Sequence, residues 1–342
     1  MARILAIFLV LLNHLPAYRL YMSGSGAMEP FYLATSIVTR INVPLFAMIS
    51  GILLLGREED VKTLLKKRVL RFLVVILVFS AILYLTLGLK EGAPMDVWLF
   101  LQGLAKGDLK HFESYWFLYA YLGFLLSLPF LRPAAQAMKK DTFLLLMGVH
   151  IICLTLLPIA NYLLGTTGKI VLSHSLCLSV YNATLLFYPL IGYWIDRNVD
   201  VTKIKRKQWY MLAILCILGT TLSGFFTWLQ GTSNHYTQDF LNLFNFINVI
   251  TIYLAFKRLF SSKFQTSHPK VSKIVTTIGP LTFGVYLLDP ALRVILYPSL
   301  RTALLPMLDN YWFSITWCIF SFMTLGLLTY LLRKLKPVRK LI

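Results

Sequence analysis

Charge, and negative charge above all, is what this sequence has least of: 14% of its 342 residues are charged, and only 14 are Asp or Glu against 33 Lys and Arg. So little polar surface excludes ordinary soluble enzyme folds, which need it to stay in water. Cysteine is scarce as well. Cys153, Cys177, Cys216 and Cys318 show no CxxC spacing, so a disulfide framework or a metal cluster has little support and structural thiols are expected. There is no Gly-rich phosphate loop, no internal repeat, no low-complexity linker and no polar stretch long enough for a separate soluble domain.

What is there is apolar. Hydrophobic residues make up 58% of the chain and the mean hydropathy is +0.70. They fall into runs near 4–22, 37–55, 70–89, 115–131, 143–161, 178–195, 210–229, 240–256, 281–297 and 311–332. A helix needs about 20 residues to cross a hydrocarbon core roughly 30 Å thick, and the runs have that length. The sequence therefore predicts an all-α integral membrane protein, a bundle of about ten transmembrane helices forming one domain over residues 1–342; a β-barrel is excluded. The first run resembles a signal peptide in having a basic start, but it lacks a small-residue cleavage site and carries Asn13 and His14. It reads as a retained helix.

A net charge of +19 would suggest nucleic acid for a soluble protein. Here it follows membrane topology. With the N-terminus inside, 25 of the 33 basic residues fall on inner loops and helix ends and 8 outside. Lys and Arg resist translocation, so both termini are expected in the cytoplasm of a multi-pass cell-membrane protein, with the lipid bilayer and not nucleic acid as its surroundings.

An ionisable side chain within a span is costly and marks a functional candidate. His14 lies ten residues beyond Ile4, about 15 Å deep. Arg3 precedes it by eleven residues, which leaves the two side chains roughly 20° apart on one helix face. An Arg at the inner mouth and an imidazole at mid-depth suit a ligand with an anionic head and a reactive tail. Taken alone, the pair reads equally well as a topology anchor and a satisfied interhelical histidine. Arg68 and Arg71 stand i, i+3 where the third helix enters from the inside, and two guanidiniums can grip phosphate oxygens by forked hydrogen bonds. Their neighbours Lys66 and Lys67 read as positive-inside anchors. Ile41 to Gly51 (INVPLFAMISG) carries Pro44 near its start and Gly51 where close helix approach or a cofactor is admitted; Arg40 stands at its outer end, where the positive-inside rule gives no reason for it.

These residues resemble those of a known family. Arg3 and His14 in R-x10-H spacing, the VPLFAMISG segment, Arg68-x-x-Arg71, the Tyr115-Trp116-Phe117-Leu118-Tyr119 run and Thr282-Phe283-Gly284-Val285-Tyr286-Leu287-Leu288 stand in the order found in the acyltransferase 3 family of bacterial membrane proteins. The resemblance implies transfer of an acyl group, usually acetyl from cytoplasmic acetyl-CoA, to a hydroxyl of a cell-envelope glycan outside. Acyl-CoA is then a co-substrate; no tightly bound cofactor and no metal is implied. The chain departs from the family in two places: it begins two residues before Arg3, where relatives carry a short leader, and the motif that often ends in His ends here in Asp289 followed by Pro290.

With that resemblance, phosphate binding falls to Arg3, Arg68 and Arg71, and the thioester meets His14, which either deprotonates the acceptor hydroxyl or accepts the acyl group first. Tyr115, Trp116, Tyr119 and Tyr286 offer aromatic faces to a sugar; singly, each also fits an interfacial aromatic belt. Glu113 and Arg40 are further acceptor-side candidates, and Asp289 is expected in a structural or acceptor-binding role. The competing reading is a multi-pass transporter or exporter of a polysaccharide or small anionic metabolite, but the inverted repeats and matched broken helices typical of transporters are not evident.

Overall fold

A computed structural model of the protein describes residues 1–15, 29–92, 95–107, 114–165, 173, 175, 177–229, 240–260, 262–304, 307 and 310–342. The described residues form helices and no strand. In chain order these are α1 (Ala2–Asn13), α2 (Glu29–Thr39), α3 (Asn42–Leu54), α4 (Val61–Leu64), α5 (Leu70–Glu91), α6 (Val97–Lys106), α7 (Trp116–Ala137), α8 (Lys140–Ile151) and α9 (Leu157–Gly165). There follow α10 (Ser179–Asn182), α11 (Thr184–Asn198), α12 (Arg206–Leu229), α13 (Asn245–Leu259), α14 (Ser262–Ser267), α15 (Pro269–Ile278), α16 (Thr282–Leu304), α17 (Asn310–Leu332) and α18 (Lys336–Leu341). Wide π turns at Leu65–Val69 and Ile152–Leu156 join α4 to α5 and α8 to α9.

Among the described residues, eight helical stretches are long and apolar enough to cross a membrane, against about ten expected. The expected sixth span falls short because α11 has 15 residues and carries Asp196 and Arg197 near its end; at 1.5 Å per residue it covers roughly 22 Å of a core about 30 Å thick. In the expected first span the described helix, α1, has 12 residues, and residues 16–22 of that run lie outside the described residues. Apolar side chains face outward on the long helices. On α12 only 17% of the apolar window is buried, with Ile214, Ile217, Leu218, Phe225 and Trp228 exposed. Such a face is stable in lipid and not in water.

The chain divides into two compact units. The first comprises Met1–Leu9, Tyr18–Arg57 and Phe130–Pro269. Its centre is the crossing of α3 with α11, where a Cβ on Gly51 would overlap the Pro189 backbone and one on Gly192 would overlap Met48. Gly51 thus serves the close helix approach that its position suggested, not a cofactor.

Pro44 explains the break between α2 and α3. Proline lacks the N–H that would reach the carbonyl of residue 40, so Arg40 O is released, and Asn245 Nδ2 from α13 donates to it at 2.8 Å. The sequence placed Arg40 at the outer end of a span beginning at residue 37; the apolar stretch instead runs Pro30–Leu54, with Arg40 inside it at the break. At the far end of α3, Arg132 Nε and Gln136 Nε2 donate to the carbonyls of Leu54 and Leu55, satisfying the orphaned end of the helix. Lys257 Nζ stands 3.0 Å from Asp196 Oδ1, and Tyr253 OH donates to the same oxygen at 2.5 Å, fastening α13 to α11.

The second unit comprises Val10–Ala17, Glu58–Pro129 and Lys270–Ile342. Asp60 caps the helix that begins at Val61, and hydrogen bonds from Thr63, side chain first and then amide, hold its carboxyl below the usual range. Gly284 of α16 faces Thr329 of α17 so closely that a Cβ there would overlap the threonine side chain. Two prolines, Pro290 and Pro298, lie within α16 and remove the N–H groups that would reach the carbonyls of residues 286 and 294.

Candidate active site

His14 follows the last residue of α1, and its imidazole meets α16: Nδ1 lies 3.0 Å from Asp289 Oδ2. The His14 side chain is 13% exposed and that of Asp289 2%. A carboxylate can only accept, so Nδ1 donates, and the neutral ring keeps its basic lone pair on Nε2. A fixed tautomer of this kind is what a general base or a nucleophilic imidazole needs.

One turn further along α16, Arg293 completes the cluster. Its Nη1 donates to the carbonyl oxygen of His14 at 2.6 Å, and its Nη2 donates to Ser114 Oγ at 2.6 Å and lies 3.9 Å from Asp289 Oδ2. The guanidinium compensates the buried carboxylate and fixes the main chain that bears the imidazole. Two tyrosines tie the same parts together. Tyr115 OH donates to Leu287 O at 2.6 Å, and Tyr286 OH donates to Ser114 O. The Tyr286 ring stands 6.3 Å from the His14 ring, with Phe117 edge-on to it.

The structure therefore brings together four of the residues expected from sequence, His14, Asp289, Tyr115 and Tyr286, within one unit. Asp289, expected in a structural or acceptor-binding role, binds the imidazole itself. Trp116 points away, 53% exposed beside buried Tyr115, and Tyr119 is engaged elsewhere, donating to Leu104 O at 2.8 Å. Glu113 lies outside the described residues. Arg293 and Ser114 were missed by sequence reasoning. The available signal was an arginine four residues after an aspartate inside an apolar span, which puts both on one helix face.

Of the basic candidates, Arg68 lies in the π turn and donates from Nε to Glu59 Oε2 at 2.8 Å, while Arg71 donates from Nη2 to Leu341 O at 3.2 Å. The two guanidiniums thus have different partners, yet the charges of Arg333 and Arg68 both act on Arg71. Arg3 is half-buried on the first turn of α1, and Arg40 belongs to the first unit. Among the described residues no group of His, Cys, Asp and Glu could hold a metal ion.

A family model described as an acyltransferase domain (Acyl_transf_3) matches residues 1–334, which include every residue of this cluster. No curated protein and no solved structure matches the chain. A chain matched over nearly its whole length, folded as apolar helices and carrying a histidine held by a buried aspartate, belongs to the acyltransferase 3 family and is a multi-pass membrane acyltransferase.

Proposed function

We propose that this acyltransferase moves an acyl group, acetyl in our reading, from cytoplasmic acyl-CoA to a hydroxyl of a cell-envelope or exported glycan in a bacterial plasma membrane. The observation that carries the chemistry is the Nδ1 hydrogen bond from His14 to Asp289. In the direct route, Nε2 of His14 takes the proton of the acceptor hydroxyl as its oxygen attacks the thioester carbonyl carbon. The C–S bond then breaks, and the departing thiolate of CoA receives that proton from the imidazolium. Asp289 orients the ring and stabilises its charged form, and Arg293 keeps both in place. A two-step route would use the same Nε2 as nucleophile, with an acyl-imidazole between two transfers.

The donor's anionic groups are assigned to Arg68 and Arg71, supported by the gathered charge around Arg71, and to Arg3, supported by its R-x10-H spacing from His14. Tyr286, whose ring stands beside the imidazole, is the strongest of the aromatic acceptor candidates. The inward bias of basic residues supports cytoplasmic termini and donor entry from that side. Mass spectrometry of envelope glycans from cells with and without the protein tests the reading: an acyl increment on a glycan is expected only in its presence. No acyl difference, together with a glycan trapped inside the cell when the protein is absent, would favour export instead.

A further inference from the structure

Along α16 the site continues as a polar stripe. Asp289, Arg293, Tyr297 and Arg301 recur at every fourth residue and so occupy one side of the helix. From Asp289 to Arg301 the stripe covers about 18 Å, over half the thickness of a hydrocarbon core. It meets α17 at Trp317, whose ring lies edge-on to that of Tyr297 with centroids 5.1 Å apart.

Three donors on this seam are buried and have no hydrogen-bond partner among the described residues: Tyr297 OH, Trp317 Nε1 and Arg301 Nε. The first two belong to side chains of residues only 7% and 2% exposed. Buried donors are nearly always satisfied, and three together along one helix contact call for a ligand. The seam is also positive. Arg293 is balanced by Asp289, whereas among the described residues no carboxylate pairs with Arg301.

We infer that the α16–α17 seam is the acceptor's binding site and that the acceptor is anionic: a glycan bearing a carboxylate or phosphate near the hydroxyl that is acylated. Arg301 meets the anionic oxygens through its planar N–H edge, and Tyr297 and Trp317 donate to the same group or to the adjoining ring. The stripe then leads the hydroxyl toward His14. The direction of entry rests on the topology in the proposed function; the anion preference rests on these donors alone.

The test is equilibrium binding to the full-length protein in phosphatidylcholine nanodiscs, using trigalacturonate and glycerol 3-phosphate as anionic probes and neutral galactotriose as control. At least one anionic probe should bind roughly tenfold or more tightly than the neutral sugar, and Arg301→Gln should remove about that factor. Tyr297→Phe, which keeps the ring packing, should weaken the same probe several-fold. Whichever anionic probe responds identifies the group as carboxylate or phosphate. Equal binding of neutral and anionic probes, or anion binding unchanged in Arg301→Gln, would overturn the inference. Release of CoA from acetyl-CoA is measured separately on the same nanodiscs, so a failure of acyl transfer is told apart from a failure of anion binding.

Discussion

Arg293 donates to the carbonyl oxygen of His14 at 2.6 Å while standing 3.9 Å from the carboxylate of Asp289, the group that holds the His14 ring. One guanidinium thus fixes the main chain and balances the partner of the same histidine. Arg293→Met should lower kcat roughly ten- to a hundredfold, as for loss of a charge-assisted hydrogen bond, with the KM for acyl-CoA little changed. Arg293→Lys should recover part of the rate, because an ammonium restores the charge without the fork. Rates normalised to protein in the membrane check this, and an increase confined to the donor KM would reassign Arg293 to donor binding.

Asn245 and Pro44 form a compensating pair in the first unit, since the amide supplies the donor that proline lacks. Asn245→Leu should destabilise the protein by about 1–3 kcal/mol by leaving the Arg40 carbonyl unsatisfied. Adding Pro44→Ala, which restores an N–H, should offset much of that loss. Thermal unfolding in detergent measures both, and additive destabilisation would contradict the account of the break.

Arg68→Ala and Arg71→Ala should each weaken acyl-CoA binding roughly ten- to a hundredfold, and Arg71→Lys should rescue incompletely. Titration of acyl-CoA onto purified variants reads the effect. Unchanged affinity in both alanine variants would leave these residues as topology anchors.

Sidedness is open to chemical labelling. With the four native cysteines replaced, Lys106→Cys should react in intact cells with a membrane-impermeant maleimide, and Lys205→Cys should react only after lysis. The reverse pattern would place Arg68 and Arg71 outside, where acyl-CoA is absent, and remove the basis of the donor site.

Much of the frame was legible because membrane helices announce themselves locally, through runs of apolar residues. The departures come from residues whose meaning depends on distant partners. The run holding α11 reads as a span although the helix has 15 residues and carries, near its end, Asp196, which is fastened to Lys257 and Tyr253 of another helix. Pro44 was visible, but the end of the span was misjudged, since nothing local told of the amide of Asn245 that lets the break lie inside it. His14 stood out as an ionisable group within a span, whereas Asp289, 275 positions away, gave no sign of reaching it. The link from Arg293 to Asp289 was legible in their four-residue spacing, whereas its bonds to the His14 carbonyl and to Ser114, 279 and 179 positions away, were not.

The central claim is that the His14–Asp289 pair performs acyl transfer, and acceptor-dependent release of CoA from acetyl-CoA by the reconstituted protein tests it most directly. His14→Ala should abolish the release and Asp289→Asn should lower it by about 10²-fold or more, with both variants reaching the membrane in normal amount and binding acyl-CoA as the native protein does. Release at the native rate from His14→Ala would contradict the account.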